Sequence, residues 1–183
     1  GGRLDPAPRR TVKKGRYMQR FQILSKRPLN DQVMFMQIYA PYIAAKAKAG
    51  QFIIFRIDDH GERVPLTIAD YDRTEGTISI IFQPVGSTTK MLAAMNEGDC
   101  LADVVGPLGN ATEIEGVKRA IVVGGGVGCA IAYPAAKALH EAGAAVTAIT
   151  GFRSNAETTD MYHNGVVGLI DLLVPDLLKD LIR

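Results

Sequence analysis

The sequence predicts a β plus α/β chain: an antiparallel β-barrel followed by a shortened parallel-sheet α/β domain. Three observations carry this expectation. Between Phe21 and Gly109, short apolar segments recur between turns marked by Gly, Pro, Asn and Asp, the spacing of a closed antiparallel barrel. After Gly116 the period changes, and two short apolar strands flank a helical stretch, which makes one β-α-β unit. Between the first of those strands and the helix stands Gly124-Gly125-Gly126-Val127-Gly128.

Each element follows from its own residues. Residues 1–17 are rich in Gly, Pro, Arg and Lys and show little apolar periodicity, so they read as a disordered leader or a remnant of expression, with Met18 as the natural start. The functional alternative is a basic arm that docks on an acidic partner. Residues 18–115 form the barrel domain. Its first two strands are 21–24 and 33–38, separated by the turn signal Pro28-Leu29-Asn30-Asp31. A third strand, 51–57, follows Gly50, and Asp58-Asp59-His60-Gly61 forms a hairpin tip in which Gly61 is free to take positive φ. Residues 63–68 return, 72–76 turn, and 77–82 make a further strand. A short helix spans 88–95 with Lys90, Met91, Leu92 and Met95 on a partly apolar face, and 103–109 closes the unit. The second domain, 116–183, holds a strand at 119–123, a helix at 129–142 stopped by Gly143, and a strand at 145–150. Beyond Ser154 the rhythm fades: 155–164 is polar and turn-like, 165–170 reads as a strand and 172–182 as a terminal helix. A nucleotide-binding sheet usually has about five strands, so this domain reads as incomplete.

Bulk properties exclude several classes. Hydrophobic residues make up 47% and charged residues 22%, the balance of a soluble globular chain. A net charge of +2 offers no case for nucleic acid. The two cysteines, Cys100 and Cys129, supply neither a four-cysteine metal site nor a secreted disulfide framework, which favours a reducing compartment, the cytoplasm. There is no apolar run of membrane-spanning length and no secretory h-region. His60, His140 and His163 lack metal-ligand spacing, so no metal site is expected. Cys100 and Cys129 read as packing residues, although a thiolate in the first turn of a helix would be favoured at Cys129.

Three motifs carry chemistry. Arg63-Val64-Pro65-Leu66-Thr67 offers a planar, permanently charged fork for phosphate, a stiffened strand, and a hydroxyl that can reach flavin N5; the plainer alternative is an exposed arginine on an edge strand with an ordinary proline. Ile81-Phe82-Gln83 leads into Gly86, Ser87, Thr88 and Thr89 at a helix start, where free N–H groups and hydroxyls favour a diphosphate; simple capping by Ser87 or Thr88 also explains those residues. Gly124 to Gly128 follows a strand and opens a helix, as a dinucleotide loop does, but its spacing is not Gly-x-Gly-x-x-Gly. A tight strand–helix turn without ligand is the alternative.

Taken in order, Glu62 to Asp70, Ile81 to Gly86, Asp103-Val104-Val105-Gly106-Pro107-Leu108-Gly109 and Val123 to Gly128 resemble the ferredoxin–NADP reductase superfamily over residues 18–154. The branch most similar is the flavin subunit of NADH-dependent ferredoxin–NADP oxidoreductase, also called the sulfide dehydrogenase flavin subunit, with the electron-transfer subunit of dihydroorotate dehydrogenase a near relative. The resemblance implies FAD held by Arg63, Val64, Pro65, Leu66, Thr67, Ile81, Phe82 and Gln83, with Gly86, Thr88 and Thr89 at its diphosphate. It implies NAD(P)H at Gly124, Gly125, Gly126, Val127 and Gly128, and Arg153 near the adenine-ribose end. Thr67 is the residue nearest a catalytic role. Relatives usually carry a proline where this chain has Ile131. They also continue into further strands and a cysteine cluster holding a 2Fe–2S centre, whose ligands this sequence does not show; it reads as shortened near 155–164.

The resemblance thus implies a flavin-dependent oxidoreductase subunit, of the ferredoxin–NADP reductase type, that passes electrons between NAD(P)H and FAD and on to a larger iron–sulfur partner in a hetero-oligomer. The alternative is a non-catalytic FAD-binding docking subunit.

Overall fold

The computed structural model of the protein describes residues 12–13 and 16–151, with side-chain environments from Met18 onward. The expected segments 155–164, 165–170 and 172–182, and Arg153, lie outside the described residues. Within the stretch read as a leader, β1 (Val12–Lys13) pairs antiparallel with β2 (Arg16–Tyr17).

β3 (Ile23–Asn30) and β4 (Val33–Tyr39) form a hairpin. The turn is shorter than the sequence suggests. β3 runs on through Pro28 and Leu29, and only Asp31 and Gln32 turn, with the Gln32 amide donating to Asn30 Oδ1 at 2.9 Å. Proline is tolerated there because β3 is the edge of its sheet and the register shifts between Pro28 and Asn30. Helix α1 (Pro41–Lys46) was not anticipated: six residues are too few for a period to show, but Pro41 in the first turn presets φ and Ile43 and Ala44 are buried.

β5 (Phe52–Arg56), β6 (Val64–Thr67), β7 (Asp70–Asp72), β8 (Thr77–Phe82), α2 (Ser87–Ala94) and β9 (Asp103–Leu108) complete the unit. All ladders here are antiparallel, as expected. They resolve into two sheets, ordered β3-β4-β8-β7 and β6-β5-β9, rather than one continuous closed cylinder. The chain crosses between the sheets at buried Ile68 and Ala69, where the Ala69 amide donates to Ser79 O at 2.8 Å. At the opposite corner Gln22 bridges Cys100, and the Ile23 amide donates to Asp99 O at 2.8 Å. Such corners bend strands and interrupt the ladder while keeping the two inner faces together.

Between those faces lies one core, including Ile23, Met36, Ile38, Ile53, Phe55, Ile68, Ile78, Ile80, Leu92 and Val104. Alternation is clear in β5, where Ile53 and Phe55 point inward. α2 contributes buried Leu92, while Met91 is exposed, so its inward face is narrower than expected. Gly61 turns without positive φ; the hairpin tip is held instead by Asp58, whose carboxylate accepts the His60 amide at 2.9 Å. Cys100 is half-buried rather than a core residue.

β10 (Arg119–Gly125), α3 (Gly128–Glu141) and β11 (Ala145–Gly151) form the β-α-β unit, with β10 and β11 parallel from Arg119↔Ala145 to Gly125↔Gly151. α3 ends at Gly143, whose φ of 86° is the left-handed stop expected of it. Ala136 and Leu139 pack with Ala120, Val122, Ala144 and Val146 on one face of the strand pair. A second cluster joins the two units: Leu29 and Val33 from the β3–β4 hairpin meet Cys129, Ala130 and Ala148, with Phe35, Ile81 and Val127 against them.

Candidate functional site

β6 is an edge strand whose inner positions, Val64 and Leu66, pack against the barrel core. Strand alternation therefore puts Pro65 and Thr67 on the other face, and Arg63, just ahead of the strand, continues that series. Pro65 is exposed and Thr67 half-buried. The Arg63 side chain is 53% exposed, and its Nη1 donates to Asp103 Oδ2 at 3.1 Å. An exposed pair of this kind is weak, so the guanidinium can exchange its partner for a phosphate at little cost.

The end of β8 leads to the second piece. Ile81 is half-buried in the cluster between the units, Phe82 is buried in the barrel core, and Gln83 is half-buried. Gly86 is the residue that caps α2, and Thr89, not Ser87 or Thr88, closes the cap. The Gly86 amide donates to Thr89 Oγ1 at 3.0 Å, and Thr89 Oγ1 donates back to Gly86 O at 3.1 Å. Thr88 is engaged differently: its Oγ1 donates to Glu62 Oε2 at 3.0 Å. That bond ties the loop before Arg63 to the first turn of α2, joining residues 26 apart in sequence. The first-turn amides of a helix have no partner within it and face an anion favourably.

The third piece is the glycine loop. A Cβ at Gly124 would lie 2.9 Å from Cys129 Cα and 3.1 Å from its amide nitrogen, so this glycine exists for strand–helix packing. Gly126 takes φ of 51° and donates its amide to Gly151 O at 2.8 Å. At Gly128 a Cβ would meet nothing within 4 Å, which leaves the opening of α3 free for a ligand. Val127 packs in the same apolar cluster as Ile81. One residue of the β8 end and one of the glycine loop thus lie against the same cluster between the two units.

Burial pushes the Cys129 thiol up, with hydrogen bonding to its own backbone and to Gly151 acting the other way. It is a fully buried packing residue. Sequence reasoning placed Glu62, Asp70 and Asp103 within the motifs of the resemblance but gave them no role, and it missed that Glu62 holds Thr88, that Asp103 holds Arg63 and that Asp70 pairs with Lys137 at an Nζ–Oδ1 distance of 2.9 Å. Glu62 adjoins Arg63, a local hint; nothing local marks the pairings of Asp103 and Lys137, whose partners are distant in sequence. Among the described residues no cluster of His, Cys, Asp or Glu could hold a metal, and no helix is long and apolar enough to cross a membrane.

An antiparallel barrel seamed to a glycine-rich β-α-β unit defines the ferredoxin reductase-like fold. Comparison with known proteins carries this from fold to family. A Thermotoga maritima protein named as a homolog of the dihydroorotate dehydrogenase B (NAD(+)) electron transfer subunit is 44% identical over 133 residues, 73% of this chain and 47% of its own. A Clostridium beijerinckii protein, named only as uncharacterized in the adh 3'region, is 52% identical over 141 residues, 73% of this chain and 48% of its own. The solved structure of an NADH-dependent reduced ferredoxin–NADP oxidoreductase superposes with a TM-score of 0.74 at 41% identity, covering 76% of this chain and 51% of that one. No protein-family model matches the chain. The chain belongs to the ferredoxin reductase-like superfamily. It spans about half the length of the curated relatives it matches.

Proposed function

We propose that this chain is a flavin-dependent oxidoreductase subunit that passes electrons between NAD(P)H and FAD and on to an iron–sulfur partner subunit, within a hetero-oligomer of the cytoplasm. The observation that supports the reading is the cluster to which Ile81, at the end of β8, and Val127, in the glycine loop, both contribute. The relatives named as electron transfer subunits support it.

The residues fit the cofactor. In this reading the donor set for a diphosphate is the Arg63 guanidinium together with the Ser87 and Thr88 hydroxyls and the first-turn amides of α2. In this reading Arg63 leaves Asp103, and Thr88 leaves Glu62, to bind it. Pro65 and Thr67, on the same strand face, flank the flavin ring, and Thr67 offers its hydroxyl there. Bound FAD supplies two-electron acceptance from a reduced nicotinamide and single-electron release. The protein's part is placement: Gly126 and Gly128 leave room for a dinucleotide, and the seam holds the two sites in register. The 2Fe–2S centre that the resemblance implies for longer relatives has no ligand set among the described residues.

Among the described residues Ile121, Val123 and Ile149 are exposed on the second face of the β10–β11 pair, which favours one competing reading, a docking subunit that binds FAD without NAD(P)H. Anaerobic mixing of FAD-loaded protein with NADH, and separately with NADPH, separates them. Bleaching of the flavin absorbance within seconds is expected with one of the two. A flavin that stays oxidised with both would establish the docking reading, and protein that remains colourless after incubation with FAD would defeat both.

A further inference from the structure

Asp103 has two arginines beside it in the sheet and is bonded to one of them. In β5 the inward positions Ile53 and Phe55 leave Arg56 on the outer face, where the ladder sets it directly opposite Asp103 of β9. On the other flank Val64 of β6 pairs with Phe55, so one step further Arg63 lies beside Arg56. Arg63 nevertheless crosses the central strand to bond Asp103 Oδ2 at 3.1 Å. Arg56 turns instead to the loop that follows it: its Nη1 donates to Asp59 O at 2.8 Å, and its Nη2 lies 3.5 Å from Asp59 Oδ1. Its Nε is buried and makes no hydrogen bond among the described residues. A buried donor left unpaired is costly, and a guanidinium has no neutral form in which to shed that cost. A carboxylate directly opposite across a ladder is within side-chain reach of it.

We propose that Arg56 is a positioning residue for the diphosphate site: when Arg63 leaves Asp103 for a phosphate, the Asp103 carboxylate passes to Arg56 Nε. The inference rests on the reading of that site as one for flavin diphosphate. The exchange conserves charge-assisted bonds. Arg63 trades a carboxylate for a phosphate oxygen, and the carboxylate takes up the orphaned donor opposite it. Without Arg56, release of Arg63 would leave Asp103, whose side chain is only 27% exposed, with no cation opposite. Asp103 therefore holds Arg63 back until the ligand arrives, and Arg56 lowers the cost of letting it go. Arg56 keeps its own hold on Asp59 throughout, so it acts without touching the ligand.

The test is a double-mutant cycle of Arg56→Met and Asp103→Asn in the full chain, read by flavin fluorescence titration with FAD. Asp103→Asn alone should tighten FAD, because Arg63 is no longer held back. Arg56→Met alone should weaken FAD by about three-fold or more, and should have little effect once residue 103 carries the Asp103→Asn change. No loss with Arg56→Met overturns the proposal. So does an equal loss in both backgrounds, which would mean that the arginine acts through its charge alone. A cofactor-free arm repeats the cycle on denaturant unfolding, with and without Arg63→Ala. The two substitutions should be nearly additive while Arg63 is present. In the Arg63→Ala protein their coupling should reach about two- to five-fold in the unfolding equilibrium constant. Coupling of one size in both backgrounds, or in neither, overturns the proposal. Should the unaltered chain bind no FAD, the flavin reading falls, and the cofactor-free arm alone decides the exchange. Should Arg56→Met fail to fold, Arg56→Gln, which keeps a polar side chain without the guanidinium, takes its place in both arms.

Discussion

At the scale of single residues, the glycine loop separates packing from binding. Gly124 has no room for a methyl group because the Cys129 backbone stands 2.9 Å from where it would sit. Gly124→Ala should therefore destabilise the protein by about 1–3 kcal/mol, read as a lower midpoint in denaturant. Gly128 opens α3 with free space around it and no positive φ, so Gly128→Ala should leave stability unchanged or slightly raised while weakening NAD(P)H. Equal loss of stability from both substitutions would mean the loop is only a turn. Arg63→Ala should weaken FAD by about 1–3 kcal/mol, measured by flavin fluorescence titration, with little effect on folding because its pair with Asp103 is exposed. Cys129 makes a pH prediction. Burial raises its thiol in the folded state, whereas an unfolded thiol titrates near about 8.5. Its buried neutral form thus stabilises the fold below that pH, and the contribution is lost as pH rises beyond it. Denaturation midpoints should fall above about pH 8.5, and less steeply in Cys129→Ala.

At the scale of elements, an ion pair links α3 to β7. Lys137 Nζ lies 2.9 Å from Asp70 Oδ1 and 3.2 Å from Oδ2. Burial draws the Lys137 ammonium down, but the hydrogen bond and charge of Asp70, with Tyr133 and Glu141, more than offset it, and the net direction is upward. The stabilisation is therefore fully present below the ordinary lysine range and disappears only as pH rises through the raised folded value. Both side chains are partly exposed, which limits the pair to about 0.5 kcal/mol. A double-mutant cycle of Lys137→Met and Asp70→Asn at neutral pH should give a coupling of that size, fading above about pH 10.5.

At the scale of the molecule, the cluster of Leu29, Val33, Cys129, Ala130 and Ala148 makes the barrel and the β-α-β unit one packed body. FAD bound to the barrel side should thus protect the whole. At about 100 times its Kd it contributes roughly 2.7 kcal/mol, and hydrogen exchange in β10 and β11 should slow together with that in β5 and β6. Leu29→Ala, which empties the middle of the seam, should cost about 2–4 kcal/mol and uncouple the two responses. Slowed exchange confined to the barrel in the unaltered protein would show that the seam does not transmit.

Much of this was legible in the residues alone. Alternating apolar segments and glycine-marked turns gave the antiparallel unit, with β8 at its observed bounds, and the change of period after Gly116 gave the β-α-β unit, because burial on one face imposes its own period on the chain. The short α1, the reach of β3 through Pro28, and the division into two sheets were not legible, since each depends on which strand lies at an edge and where the chain turns a corner. The same holds within the site. Arg63, Thr88 and the glycine loop announce themselves by residue type, but the Glu62–Thr88 and Arg63–Asp103 bonds and the cluster shared by Ile81 and Val127 join residues far apart in sequence. Local physics wrote the parts, and only packing across long stretches of chain decided which parts face one another.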